Sequence, residues 1–120
     1  MKKIAMLAAC AAALWTSCAS AQNIGGRYNV QGKNFDGSPY SGTAEVTVTS
    51  RTTCRITWRT GGTTSNGICM RNETSFVAGY QLGNSIGLVI YDIKSDGTLD
   101  GVWTLAGRNG AGSELLTPAR

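Results

Sequence analysis

From residue 22 onward the chain reads as an all-β protein. The expected architecture is a small eight-stranded antiparallel up-and-down barrel with one disulfide, and a two-sheet sandwich of the same strands is the alternative. Three observations lead there. Apolar and polar residues alternate with period two almost throughout, and no stretch carries a helical period. Turn residues separate the strands at intervals of about ten positions, so each strand follows its neighbour through a tight connection. Finally, Cys54 and Cys69 are equidistant from Gly61-Gly62. If that pair is a two-residue hairpin turn, Thr60 faces Thr63 and, counted outward, Cys54 faces Cys69. Opposed residues on antiparallel strands have Cα atoms roughly 4.5–5.5 Å apart, inside the roughly 4.4–6.8 Å that a disulfide accepts.

The strands follow in order. The first is Arg27 to Gln31, with Tyr28 and Val30 on one side, followed by the turn chemistry of Asn34-Phe35-Asp36-Gly37-Ser38-Pro39. The second, Tyr40 to Thr49, places Tyr40, Gly42, Ala44, Val46 and Val48 against a polar face. The third and fourth form the bridged hairpin, with Cys54, Ile56 and Trp58 on one face and Arg55, Thr57 and Arg59 on the other. Gly67 then stands opposite Ile56, leaving room for the Trp58 indole. This register turns Ile68 and Met70 outward, which a bulge near Asn66-Gly67 would repair. The fifth strand is Ser75 to Leu82 and the sixth Ser85 to Ile93, whose run from Ile86 to Tyr91 is apolar on both sides. Its outer face is therefore either covered or a contact surface. The seventh is Thr98 to Leu105, with Leu99, Gly101, Trp103 and Leu105 in phase, and the eighth Ser113 to Thr117. A faint echo links the hairpin around Asp36-Gly37 to that around Asp96-Gly97, each with a tyrosine before the turn and a glycine in the strand after it.

The first residues address the compartment. Lys2 and Lys3, the apolar run from Ile4 to Trp15, and Ala19-Ser20-Ala21 together form a secretory signal peptide over residues 1–21. That leaves 22–120 as a single domain. The apolar run is too short to span a bilayer as a helix, so no transmembrane segment is expected. Leu7-Ala8-Ala9-Cys10 spells a lipoprotein box but follows too few apolar residues. Trp15-Thr16-Ser17-Cys18 is better placed but begins with the wrong residue. Export, to the periplasm or beyond the cell, is an oxidising route on which a Cys54–Cys69 pair persists. Taking Lys2 and Lys3 from the 11 Lys and Arg of the chain leaves 9 against 7 Asp and Glu, a net charge of +2. So small an excess on an exported domain argues against a nucleic-acid partner.

The chain contains no histidine. The commonest general base and metal ligand are thus missing, and with both remaining cysteines bonded there is no thiolate nucleophile. No metal and no cofactor is expected, and the protein reads as a non-enzyme. Asp36 and Asp96 are turn formers, and Asp92, Asp96 and Asp100 lack the spacing of a calcium loop. Glu114 is the acid of most interest. It lies beside a glycine-rich loop, where an ion pair with Arg27 or Arg55 across the closing seam is the first reading and a catalytic acid the second. Arg55 and Arg59, with Arg51 nearby, form a basic face that is either plain solvated surface or a contact for an anionic partner. Tyr28, Tyr40, Trp58, Tyr80 and Trp103 are either barrel core or the lining of an aromatic pocket at one mouth.

Several segments resemble a family of short exported proteins from Gram-negative bacteria, mostly uncharacterised, some labelled fibronectin-binding protein. These are G-G-R-Y-N-V-Q-G, D-G-S-P-Y-S-G-T-A, C-R-I-T-W, G-I-C-M, V-I-Y-D-I, D-G-T-L-D-G-V-W and S-E-L-L-T-P. The resemblance implies an adhesin-like interaction module whose partner is a host extracellular-matrix protein or an envelope component. Gly26-Arg27-Tyr28 and Gly101-Val102-Trp103 are similar to the G-x-W element of lipocalin and avidin barrels, which supports the architecture. The expectation is thus an exported binding module, with a small-ligand carrier as the alternative and a hydrolase using Glu114 and an aspartate as the third.

Overall fold

The computed structural model describes residues 23–119. The segment read as a signal peptide, with Cys10, Cys18 and the cleavage site, lies outside the described residues. Eight strands run in chain order: β1 (Gly26–Lys33), β2 (Pro39–Val48), β3 (Thr53–Thr60), β4 (Thr63–Arg71), β5 (Ser75–Leu82), β6 (Ser85–Ile93), β7 (Leu99–Leu105) and β8 (Gly112–Pro118). Each pairs antiparallel with the next, and β1 pairs with β8 to close a barrel. The sandwich alternative is thereby replaced by full closure, which leaves no unpaired edge among the described strands. Among the described residues no helix is long and apolar enough to cross a membrane.

Strand phase follows the alternation in the sequence. Val30, Ala44, Val46, Ile56, Phe76, Val89, Tyr91, Leu99 and Leu116 are buried inside the barrel. Gly61 and Gly62 both have positive φ, as the two central residues of a tight hairpin turn require, and Thr60 faces Thr63. Cys54 faces Cys69 with a Cα–Cα distance of 4.9 Å, and the two are disulfide-bonded.

Three expectations are corrected and one open alternative is decided. No bulge forms at Asn66-Gly67: the β3–β4 register runs unbroken from Thr53↔Met70 to Thr60↔Thr63. Because Cys69 turns inward to its partner, its neighbours Ile68 and Met70 must turn outward, and they are 74% and 56% exposed. The space at Gly67 is claimed by β5 rather than by the Trp58 indole, since a Cβ there would meet the Gly79 carbonyl and Tyr80. The β6 outer face is uncovered among the described residues. Ile86, Leu88 and Ile90 are exposed, and with Val77 and Val102 they make an apolar wall over β5–β7. The echoed hairpins share their turns but not their tyrosines. Asp36 accepts from the Ser38 amide and hydroxyl as Asp96 does from those of Thr98, yet Tyr28 faces Ala44 while Tyr91 faces Gly101.

The barrel has two unlike ends. The β2–β3, β4–β5 and β6–β7 turns lie at the end that carries the disulfide, and there Ile24 covers the interior with its carbonyl accepting from the Tyr28 hydroxyl at 2.6 Å. The other end is ringed by the β1–β2, β3–β4, β5–β6 and β7–β8 connections, and there the barrel interior itself opens. Reducing the bridge releases a loop of sequence separation 15, for which loop-closure entropy gives about 3 kcal/mol. Urea unfolding of a Cys54→Ser/Cys69→Ser variant is expected to show a loss of about that size with an unchanged barrel spectrum, and an unchanged midpoint would refute it.

Candidate functional site

A cavity of about 290 Å³ opens at that mouth, lined by Tyr40, Trp58, Tyr80, Trp103, Ser65 and Glu114 with Thr60, Thr63, Leu82, Val89, Asn34 and Gly61 around them. Of the aromatic residues picked from the sequence, Tyr40, Trp58, Tyr80 and Trp103 come together here. Tyr28 does not: it is buried toward the disulfide end, held by the Ile24 carbonyl.

The cross-strand register explains how the rings lie. Tyr40 is opposite Gly32, Tyr80 opposite Gly87, Tyr91 opposite Gly101 and Trp103 opposite Gly112. In each case a Cβ on the glycine would run into the facing ring, so the aromatic side chain lies flat across the bare backbone of the neighbouring strand. Tyr80 thereby reaches over β6 to donate to the Thr104 carbonyl on β7 at 3.3 Å. Trp103 reaches the Ser113 carbonyl at 3.3 Å.

The same rule builds the base of the cavity. Glu114 on β8 has Gly32 and Gly101 as its two lateral partners, so Tyr40, Gly32, Glu114, Gly101 and Tyr91 form one row around the wall. Each tyrosine spans a glycine and sets its hydroxyl on the carboxylate. Tyr40 donates to Oε1 at 2.7 Å, and Tyr91 donates to Oε2. Trp58 Nε1 completes the set, 3.0 Å from Oε2 and 3.1 Å from the Tyr91 hydroxyl. Glu114 therefore faces inward and makes no seam contact with Arg27 or Arg55, as the sequence had led one to expect; both arginines are exposed on the outer wall. Of its partners, Tyr91 was not picked as a site residue, because strand phase alone does not show that its ring crosses Gly101 on β7 to reach Glu114 on β8. Tyr40, which was picked, meets Glu114 only once β8 pairs with β1.

Around the rim, Phe35 of the β1–β2 loop stacks on Trp103 with ring centroids 4.9 Å apart, and the Arg108 guanidinium sits 4.5 Å over the Phe35 ring. Inside, Trp58 and Tyr80 pack at 5.0 Å. Arg59 and Arg55 stand on the outer face of β3, directed away from the cavity. Among the described residues no three His, Cys, Asp or Glu side chains gather as a metal site.

Burial, reinforced by the nearby Glu114 carboxylate, raises the phenol pKa values of this cluster. Tyr80 is pushed up to about 12, Tyr40 rises further, and Tyr91 rises well above its ordinary value.

No family model matches the chain, and no curated protein matches it. Among solved structures it is similar to designed barrels. A redesigned β-barrel aligns over 81% of this chain and 92% of its own with a TM-score of 0.70 at 15% identity. A de novo designed fluorescence-activating β-barrel aligns over 79% and 93%, TM-score 0.64, at 14% identity. A third, a redesigned β-barrel bound to DFHBI, aligns over 77% and 93%, TM-score 0.66, at 17% identity. At such identities the likeness establishes a shared barrel fold.

Two outcomes follow. Raised phenol pKa values mean that the folded barrel keeps protons which the unfolded chain sheds near its ordinary pKa of 10.0. This stabilisation is complete below about pH 10 and is lost as pH climbs through the folded values. Urea midpoints are expected to fall steadily from about pH 10 to 12, with phenolate absorbance lagging behind that of the unfolded chain; coincident titration of folded and unfolded protein would contradict it. Separately, Gly87→Ala, whose methyl group would collide with the Tyr80 ring, is expected to cost about 1–3 kcal/mol in urea unfolding and to blue-shift Trp58 emission as Tyr80 is driven toward it.

Proposed function

We propose that the protein is a non-catalytic carrier of a small ligand, held in the barrel mouth between Trp58, Tyr80 and Trp103. The observation that carries this reading is the open cavity itself. A packed interior would have left only the outer wall for binding, whereas this one keeps about 290 Å³ beside two indoles, with a few convergent polar groups at its base. That volume stands at the lower edge of the roughly 300–1,000 Å³ typical of small-molecule sites, so the ligand is of single-ring or two-ring size. Aromatic walls with polar tips suit a flat, partly polar molecule.

Two further points support carriage over catalysis. Glu114 is the sole acid at the cavity among the described residues, and its oxygens already receive three protein donors. Acid–base hydrolysis of the two-carboxylate kind needs a second acid, and none lines this cavity among the described residues. The designed neighbours described as fluorescence-activating and as bound to DFHBI show that barrels of this shape accept ligands, and they lend the reading support at the level of architecture. The disulfide is in keeping with an exported carrier working in an oxidising compartment.

The test is intrinsic tryptophan fluorescence titrated with a panel of flat one-ring and two-ring compounds, cationic, neutral and anionic, alongside Ser65→Leu. The leucine side chain fills the cavity beside Trp58 without altering the outer wall. At least one compound is expected to saturate the change, and Ser65→Leu to weaken it at least about tenfold with an unchanged circular dichroism spectrum. Binding that survives in Ser65→Leu, or a panel without effect, defeats the proposal.

A further inference from the structure

We infer that the ligand of this cavity is an organic cation: a flat ring joined by a short arm to an ammonium group, the nitrogen on Glu114 and the ring against Trp58, Tyr80 and Trp103. The inference rests on the cavity being a ligand site and adds the charge and class of the occupant. Its starting point is that Glu114 is only 7% exposed and lines the cavity.

All three donors that reach Glu114 are neutral: two phenol hydroxyls and an indole N–H. They supply hydrogen bonds but no opposite charge. No lysine or arginine lies among the described residues that line the cavity. Of the cationic groups toward this end, Arg108 sits on the face of Phe35, and Lys33 and Arg59 stand exposed on the outer wall of β1 and β3. A carboxylate taken out of water is compensated best by a partner of opposite sign, and here the chain itself provides none beside it.

The acceptor count leaves a place for one. A carboxylate offers about four lone-pair sites. Tyr91 and Trp58 take Oε2, and Tyr40 takes one side of Oε1. One site on Oε1 is left for a ligand N–H. Ser65, Thr60 and Thr63 line the same cavity and add hydroxyl-bearing side chains to its wall. The walls favour the same charge, because the faces of Trp58, Tyr80, Trp103 and Tyr40 attract cations through their ring quadrupoles. An anion would meet Glu114 in a site of low dielectric and be repelled.

The experiment is calorimetric titration of the purified protein at pH 7 with three probes of matched ring and arm: 2-phenylethylammonium, 2-phenylethanol and 3-phenylpropanoate. The ammonium is expected to bind at least about tenfold more tightly than the alcohol, and the carboxylate least of all. In Glu114→Gln, the ammonium's advantage over the alcohol is expected to vanish. Alcohol or carboxylate binding as tightly as ammonium in the wild-type protein overturns the charge assignment and leaves the cavity reading standing. Failure of all three, with other flat compounds binding, likewise overturns only the cation; failure of every compound overturns both. The wild-type series decides the matter even if Glu114→Gln does not fold.

Discussion

A carboxylate inside a barrel has to be satisfied from the barrel wall, and much of this molecule's inner layout follows from that demand. Glu114 on β8 draws donors from β2, β3 and β6, so that one side chain ties together four strands that are not all neighbours. Removing any donor leaves a buried charge short of a hydrogen bond, a loss of roughly 1.5–3 kcal/mol for bonds to charged groups. The carboxylate thus fixes where Tyr40, Tyr91 and Trp58 stand. In fixing them it also shapes the space that they enclose.

The device that makes this possible is a pairing of ring and glycine. Tyr40 over Gly32 and Tyr91 over Gly101 put two hydroxyls on the same carboxylate from opposite directions. Tyr80 over Gly87 and Trp103 over Gly112 line the walls above it. A side chain at any of those glycines would stand where a ring now lies. The cavity is open because Tyr40, Tyr80 and Trp103 lie along the wall, leaving Trp58 as the one lining ring that reaches into the lumen toward Glu114.

Most of the architecture was legible beforehand because a half-buried strand writes its phase into the sequence, as β2 does in Tyr40, Gly42, Ala44 and Val46. The disulfide could be found by counting from Gly61-Gly62. Where patterns conflicted, the covalent constraint prevailed: apolar Ile68 and Met70 suggested a bulge, yet an inward Cys69 holds both outside. Four of the five aromatic residues picked for a pocket lie at the mouth, and Tyr28 lies apart because β1 enters from the other end. The role of Glu114 was hidden for a different reason. Reading along a strand reveals its face, but not which residues come round from the far side when the first and last strands meet.

That meeting also decides how the molecule is held. The start of β1 and the end of β8 lie side by side, with the Ala119 amide bonded to the Arg27 carbonyl at 2.9 Å. Both described ends of the chain therefore leave from the disulfide-clamped pole. A tether fused at either one, to a bead or a display scaffold, would present the cup upright with its rim facing outward and unobstructed.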